Sequence, residues 1–312
     1  MEISEVKKYV RGPLAPVLTV YKPGSLEVDL DAIQENVDQQ IRRGMAKGKG
    51  VLLAAGAGGD FALLTFEERK AVIKAVAEAA GGRATVLACA QSPLTSEAVA
   101  LAVWSQKVGC YGIQLSPTWY YPPNEAQIYD HFKAVATGID ICVMVYHTPW
   151  LDSHMSMALL NRLWADFPNV RSLKWSSFSE HETMEGYIEL AAKYAIIDNG
   201  SAVPHGALLG ATGFVTHLAN AWPEHEVALW DRFAAGDLAG ATAEFIAVNW
   251  VWRKLRGWAG QTAGGGESIV VKPAAELTGF HGGPSRPPMA TFSAAQRAYV
   301  REVLQKIGAP LV

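Results

Sequence analysis

The stretch Ile141-Cys142-Val143-Met144-Val145-Tyr146, followed after a helical pattern by Val170-Arg171-Ser172-Leu173-Lys174-Trp175, decides the fold. Each run is almost continuously apolar, as a parallel strand covered on both faces must be. Working outward, the same kind of run recurs at Pro16–Val20, Val51–Ala55, Thr85–Ala90 and Tyr111–Ser116 on one side, and at Tyr194–Asp198 and Gly213–His217 on the other. Helical patterns separate them. One opens with a capping-box spacing from Thr65 to Glu68. Another starts at Thr95 and runs through Glu97–Val108. A third starts at Pro123-Asn124-Glu125 and runs through His131 and Val135. Strand and helix in alternation predict an α/β fold with parallel strands, and eight runs fit a (β/α)8 TIM barrel. An open doubly wound sheet is the rival topology, and eight parallel runs weigh against it. Beyond residue 217 the chain reads as helical at 224–235, 237–256 and 293–307, with a Gly/Pro-rich stretch at 257–290. The expected organisation is a barrel over 1–222 and a C-terminal helical extension over 223–312, packed on the barrel.

Composition narrows the classes of function. Half of the 312 residues are apolar and only 18% are charged, below the ~25% of ordinary soluble domains, which excludes a disordered chain. Lys and Arg number 27 against 30 Asp and Glu. No basic stripe stands out, so no nucleic-acid partner is expected. Cys89, Cys110 and Cys142 lie inside apolar runs and read as core residues of a reducing compartment. The segment MEISEVKKYV has no apolar signal core. Uncharged apolar stretches such as 206–216 are shorter than the ~18 residues a membrane helix needs. The expectation is a cytoplasmic protein with no membrane partner.

In such a barrel, chemistry belongs at the C-terminal ends of the strands. These ends carry Gly56-Ala57-Gly58-Gly59-Asp60, then Ser116 through Tyr121, Tyr146-His147-Thr148-Pro149-Trp150, Lys174-Trp175-Ser176-Ser177, Asp198-Asn199-Gly200 and Thr216-His217. Lys174 stands out, because a lysine ending an apolar strand either snorkels to solvent or works there. Burial disfavours its charged form, and a neutral amine attacks carbonyls to form a Schiff base. Tyr146 ends the adjacent strand, where a phenol can shuttle protons or simply line the mouth. The glycines at 56–59 admit three readings: a dinucleotide fingerprint, a backbone nest for a carboxylate, or a tight turn. The first fails at Phe61, where its third glycine would fall. His147 and His217 are candidate acid/base groups. No metal spacing and no Gly-x-Ser-x-Gly elbow occurs, so neither a metal site nor an α/β-hydrolase is expected.

Taken in order, these segments resemble the dihydrodipicolinate synthase/N-acetylneuraminate lyase family of Schiff-base aldolases and dehydratases. The resemblance runs from Gly12-Pro13 to about Pro288. Gly56–Asp60 with Leu64–Glu68 resembles the family's glycine-rich loop and following helix. Tyr146-His147-Thr148-Pro149 resembles its Tyr-Asn-x-Pro motif, and Lys174, 28 positions after Tyr146, matches its Schiff-base lysine. Val271-Lys272-Pro273-Ala274, Gly279 and Arg286-Pro287 resemble its C-terminal signature.

The resemblance implies a lyase that needs no cofactor and forms a homodimer or homotetramer. Lys174 would attack the ketone of a 2-oxo acid such as pyruvate, and Tyr146 would relay protons. Gly56, Ala57, Gly58 and Gly59 would hold the carboxylate, with Tyr120, His147, Trp175, Asp198 and Thr216 around the substrate. The chain departs from the family pattern at several points. Ala57 and Gly58 replace two hydroxyl residues, which removes a hydrogen bond worth about 1.5–3 kcal/mol to a charged group. Asp60 replaces a glutamate, and His147 an asparagine. Leu151 stands where dihydrodipicolinate synthases carry an arginine for the second substrate, which disfavours that activity. Trp119, Trp150 and Trp175 point to a bulky, apolar substrate half. The expected function is aldol cleavage, condensation or dehydration of a 2-oxo acid. The alternative is an altered barrel that binds or regulates.

Overall fold

The computed structural model describes residues 1–151, 153–200, 202–264 and 266–312. Eight parallel strands close in chain order into a barrel: β1 Gly12–Pro16, β2 Val51–Ala54, β3 Thr85–Cys89, β4 Gly112–Leu115, β5 Cys142–His147, β6 Val170–Trp175, β7 Ala195–Asp198 and β8 Gly213–Val215. β8 pairs back onto β1, so no sheet edge is left. Every strand residue except Arg171 and Val215 is buried. That double covering is why the runs read as continuously apolar.

The helices are α1 Ile3–Tyr9, α2 Leu30–Arg42, α3 Phe66–Ala80, α4 Thr95–Lys107, α5 Glu125–Ala136, α6 Met157–Asp166, α7 Glu180–Leu190, α8 Val203–Leu208, α9 Pro223–Ala234, α10 Leu238–Ala247, α11 Asn249–Ala263, α12 Ser268–Leu277 and α13 Ala294–Lys306. The capping box at α3 is present in full: Thr65 Oγ1 accepts from Glu68 N and Glu68 Oε2 accepts from Thr65 N, at 3.2 and 2.8 Å. α9 packs across β1 and joins the outer ring, and α10–α13 form the C-terminal extension. None of the helices is long and apolar enough to cross a membrane among the described residues.

Strand alternation divides the core in two. Leu14, Val51, Leu53, Leu87, Cys89, Cys142, Met144, Ala195 and Ile197 fill the barrel, and Val6 from α1 and Val10 just after it plug its lower end. Val143, Val145, Leu173, Trp175 and Ile196 face the other way, into the layer between barrel and helices. This parity decides which strand-end residues can reach a ligand. Cys89, Cys110 and Cys142 are free and buried. Burial pushes the thiols of Cys110 and Cys142 up to about 12.

Three expectations about the elements are corrected. The first strand is Gly12–Pro16 and not Pro16–Val20: Gly and Pro read as breakers, yet Leu14 fills the barrel while Val17 lies beyond the strand, donating to Leu53 O at 3.0 Å. The helix expected at 237–256 is two helices meeting at Val248. The stretch 257–290 contains the remainder of α11 and all of α12, which tolerates Pro273 because its whole apolar surface, Ile269–Val271 and Ala274–Ala275, is buried.

Candidate active site

Lys174 and Tyr146 are register partners on β6 and β5, both on the inward parity and both at the upper ends of their strands. Lys174 is 5% exposed. Its Nζ lies 4.1 Å from the centroid of the Tyr146 ring, and it makes no ion pair or hydrogen bond among the described residues. An amine this buried and this unpartnered is costly for the fold and therefore calls for a role.

The glycine loop beside them is a 3-10 turn over Ala57–Gly59, bracketed by left-handed Ala55 and Asp60 at φ +49° and +58°. Gly59 N, donating to Gly56 O at 2.9 Å, Asp60 N to Ala57 O at 3.1 Å and Phe61 N to Gly56 O at 3.2 Å close the turn. The N–H groups of Ala57 and Gly58 take no part in these bonds. The loop is tied from below and behind. Thr19 Oγ1 donates to Gly59 O at 2.6 Å, Ser268 Oγ donates to Asp60 Oδ1 at 2.5 Å, and Lys272 Nζ lies 3.5 Å from Asp60 Oδ2. Asp60 is thus a buried anchor between loop and extension. Gly58 is forced by space: a Cβ there would lie 2.9 Å from His217 Cδ2 and Nε2. The imidazole of His217 and Cβ of Pro16 take the space a side chain at this position would fill.

Two cavities meet above Lys174, sharing Trp150 and Glu267 in their walls. The larger, about 760 Å³, is lined by apolar groups from the loops after β2, β4 and β5, with Tyr146 and Thr148 at its base. Phe61 and Trp119 meet edge to face there, centroids 6.1 Å apart, and Leu151 and Met289 continue the wall. No Lys or Arg lines it among the described residues. The smaller, about 100 Å³, is lined by Lys174, Asn199, Thr216 and His217 from the barrel and by Arg253, Arg256 and Glu267 from the extension. His217 Nε2 donates to Glu267 Oε2 at 2.8 Å, and Arg256 Nη2 lies 3.8 Å from Glu267 Oε1. Burial, reinforced by Arg256, lowers the pKa of His217 and favours the neutral ring. Burial works against the charge on Glu267, but His217, Arg256 and Lys174 together hold its carboxyl below the usual range.

Of the residues expected around the substrate, Lys174, Tyr146, Ala57, Tyr120 and Thr216 line these cavities. Gly56, Gly58 and Gly59 shape the loop behind Ala57. His147, Trp175 and Asp198, also expected around the substrate, do not line either cavity. They are register partners of one another on the outward parity, one residue past Tyr146, Lys174 and Ile197. His147 Nδ1 donates to Ser176 O at 2.7 Å, and its ring lies 4.8 Å from Trp175. Trp175 Nε1 donates to Thr183 O at 2.9 Å in the wall against α7. Asp198 accepts from the Tyr187 hydroxyl and, at 3.1 Å, from Ala202 N. Burial raises its pKa against the hydrogen bond from Tyr187. Trp119 and Trp150 do face the larger cavity.

Arg253, Arg256 and Glu267 were missed by a reading confined to strand ends. The signal for the two arginines lies in α11, where Asn249, Arg253 and Arg256 recur at helical spacing beside the buried stripe of Trp252, Leu255 and Ala259.

Comparison with known proteins agrees with this architecture. The model of the dihydrodipicolinate synthetase family matches residues 10–307. A 4-hydroxy-tetrahydrodipicolinate synthase of Methanoculleus marisnigri is 28% identical, over 95% of this chain and 99% of the relative. One of Symbiobacterium thermophilum is 30% identical over 85% and 88%. The crystal structure of dihydrodipicolinate synthase from Aquifex aeolicus superposes with a TM-score of 0.84 at 25% identity, covering 96% of this chain and 99% of that one. The chain belongs to the dihydrodipicolinate synthetase family and is an enzyme of its class I, lysine Schiff-base aldolase/lyase type.

Proposed function

We propose that Lys174 condenses with the ketone of a 2-oxo acid, and that the chain is a pyruvate-type lyase other than a 4-hydroxy-tetrahydrodipicolinate synthase. The observation that carries this reading is the buried, unpaired Nζ of Lys174 lying against Tyr146 where two cavities meet. The amine attacks C2, water leaves, and a protonated imine forms. Loss of a C3 proton gives an enamine, whose C3 bonds to an aldehyde carbon in condensation; cleavage runs the same step backward. Hydrolysis returns the amine. Tyr146 moves protons at the imine and the substrate oxygen. The free N–H groups of Ala57 and Gly58 hold the carboxylate without side-chain hydroxyls.

Leu151 and the absence of any Lys or Arg lining the larger cavity among the described residues argue against a second substrate carrying carboxylate there. The Phe61–Trp119 wall supports a bulky apolar half, as in arylidene-pyruvates. Binding across a panel of aryl and sugar-acid 2-oxo acids tests this, and preference for the sugar acids would sink it. The family reading also carries a homodimer or homotetramer in the cytoplasm.

A second reading has one observation in its favour: His217 occupies the space above Gly58, so the barrel could bind without turning over. Exchange of the C3 protons of pyruvate in deuterated water separates the two. A Schiff-base lyase exchanges them through the enamine and Lys174→Ala does not. No exchange with pyruvate or longer 2-oxo acids favours the binder.

A further inference from the structure

The smaller cavity holds two guanidiniums, of Arg253 and Arg256, against one carboxylate, that of Glu267, in its wall among the described residues. Glu267 is already engaged by His217 and Arg256. Arg253 has no carboxylate within ion-pair distance among the described residues, and its guanidinium makes no hydrogen bond there. It is half-buried against the faces of Phe245 and Trp250, 5.5 and 5.8 Å from their centroids, with Nη2 packed at Gly200 just past β7. The nearest buried acid, Asp198, is taken by Tyr187 and Ala202 N. Folding has thus placed a guanidinium in a confined polar pocket with no carboxylate in ion-pair contact among the described residues and only the more distant Asp198 to balance it, an arrangement whose cost an anionic ligand repays.

The placement also says which anion. Lys174 rises into the cavity from the end of β6, whereas Arg253 reaches it from α11, with Nη2 beside Gly200 past the end of β7. The carboxylate next to the reacting carbon has the Ala57 and Gly58 amides, so Arg253 is surplus to it. We propose that Arg253, assisted by Arg256, forms a subsite for a second anionic group on the substrate, a carboxylate or phosphate several atoms from the carbon bonded to Lys174. The planar fork of a guanidinium suits either oxyanion, and a cavity of about 100 Å³ suits a compact anion better than a ring. Asn199 adds an amide to the same wall. This inference rests on the Schiff-base reading, and its test keeps the two apart.

The probes are 2-oxoglutarate and 2-oxovalerate, which share a carbonyl end and differ in a distal carboxylate against a methyl. Each is titrated with borohydride and the reduced adduct is read by intact mass. The wild-type protein is expected to reach half-maximal trapping with 2-oxoglutarate at a concentration about tenfold or more below that for 2-oxovalerate. The ratio should fall to near unity in Arg253→Gln and largely persist in Arg253→Lys, with thermal melts showing both variants folded. Equal trapping of the two acids by wild type, or an undiminished ratio in folded Arg253→Gln, overturns the subsite. If no 2-oxo acid is trapped at all, the Schiff-base reading has failed, and the subsite is judged on inorganic phosphate. Phosphate should then raise the melting temperature of wild type more than that of Arg253→Gln, and equal shifts overturn it.

Discussion

The two cavities that meet over Lys174 are built from different parts of the chain. The larger is walled mainly by loops of the barrel, where Phe61, Trp119 and Leu151 present carbon, with Glu267 and Met289 of the C-terminal extension at its edge and no Lys or Arg among the described residues. The smaller borrows its far wall from the extension, where α11 supplies Arg253 and Arg256 and the segment before α12 supplies Glu267. Between them the barrel floor holds the amine and the phenol. The contrast teaches a division of labour. The barrel fixes the chemistry by strand register, and the two walls, one apolar and one charged, select what the chemistry acts on. Each wall can be changed without moving Lys174, because neither touches the β5–β6 register that places it.

The largest effect belongs to the floor that both cavities share. Tyr146→Phe should slow C3 proton exchange of pyruvate by about 10²-fold or more while leaving adduct formation at Lys174 detectable, because general acid–base help is lost and the amine is not. Exchange at the wild-type rate would remove Tyr146 from the relay. Next comes the apolar wall. Trp119→Ala should weaken binding of an aryl 2-oxo acid by about tenfold, the loss of one buried aromatic contact, and leave the 2-oxoglutarate to 2-oxovalerate ratio unmoved. A fall in that ratio would mean the two cavities are not separate in function.

The loop between the walls gives a stability effect. Gly58→Ser restores a side chain where His217 sits 2.9 Å from the new Cβ, so it should cost about 1–3 kcal/mol in urea unfolding instead of rescuing carboxylate binding. A stable Gly58→Ser protein that binds pyruvate more tightly would show that the imidazole yields.

The smallest effects separate the walls by pH. The charged wall is tied through His225, which donates to Glu226 at 2.7 Å and to Glu244 at 3.1 Å, while Asn249 at the start of α11 donates to the same Glu226 at 2.9 Å. Burial lowers the pKa of His225, but the two carboxylates outweigh it and the net shift is upward from 6.5. The folded state therefore holds this proton more tightly than the unfolded chain. The tie is fully present below about pH 6.5 and is lost as pH rises through the folded value, on the order of 1 kcal/mol. The apolar wall is tied by Arg286, which donates to Leu63 O and to both oxygens of Glu68 at 2.8, 3.0 and 2.8 Å. Those bonds hold the Glu68 carboxyl down at about 2. The contribution is present above about pH 4.5 and lost as pH falls toward 2, about 1 kcal/mol for a pair this near solvent. Urea midpoints of His225→Gln and Glu68→Gln against wild type should thus converge at opposite ends of the pH range. Convergence at the same end would contradict the assignment.

Much of this was legible in the chain. Seven of the eight strands fell where continuous apolar runs predicted them, because burial on both faces leaves no polar position to blur the pattern. β1 was displaced because Gly12, Pro13 and Pro16 resemble a turn, while the apolar residues that follow extend the hydrophobic signal past the strand. Lys174 and Tyr146 were legible because a lysine and a tyrosine ending adjacent buried runs have one place to go. For His147, Trp175 and Asp198 the strand's period of two is the part that run-reading alone leaves out: each follows an inward residue and so faces the helices. Arg253, Arg256 and Glu267 lie 79, 82 and 93 positions beyond Lys174, and only the packing of the C-terminal extension across the barrel mouth brings them to it. Local pattern carries the floor of the site, and long-range packing carries its charged wall.

The central claim is that the buried amine of Lys174 is the group that bonds to substrate. Incubation with pyruvate and borohydride, followed by intact mass and peptide mapping, reads it directly. The account predicts one added pyruvate less one oxygen per chain, located on Lys174 and absent from folded Lys174→Ala. An adduct on another lysine, or one that persists in Lys174→Ala, would contradict it.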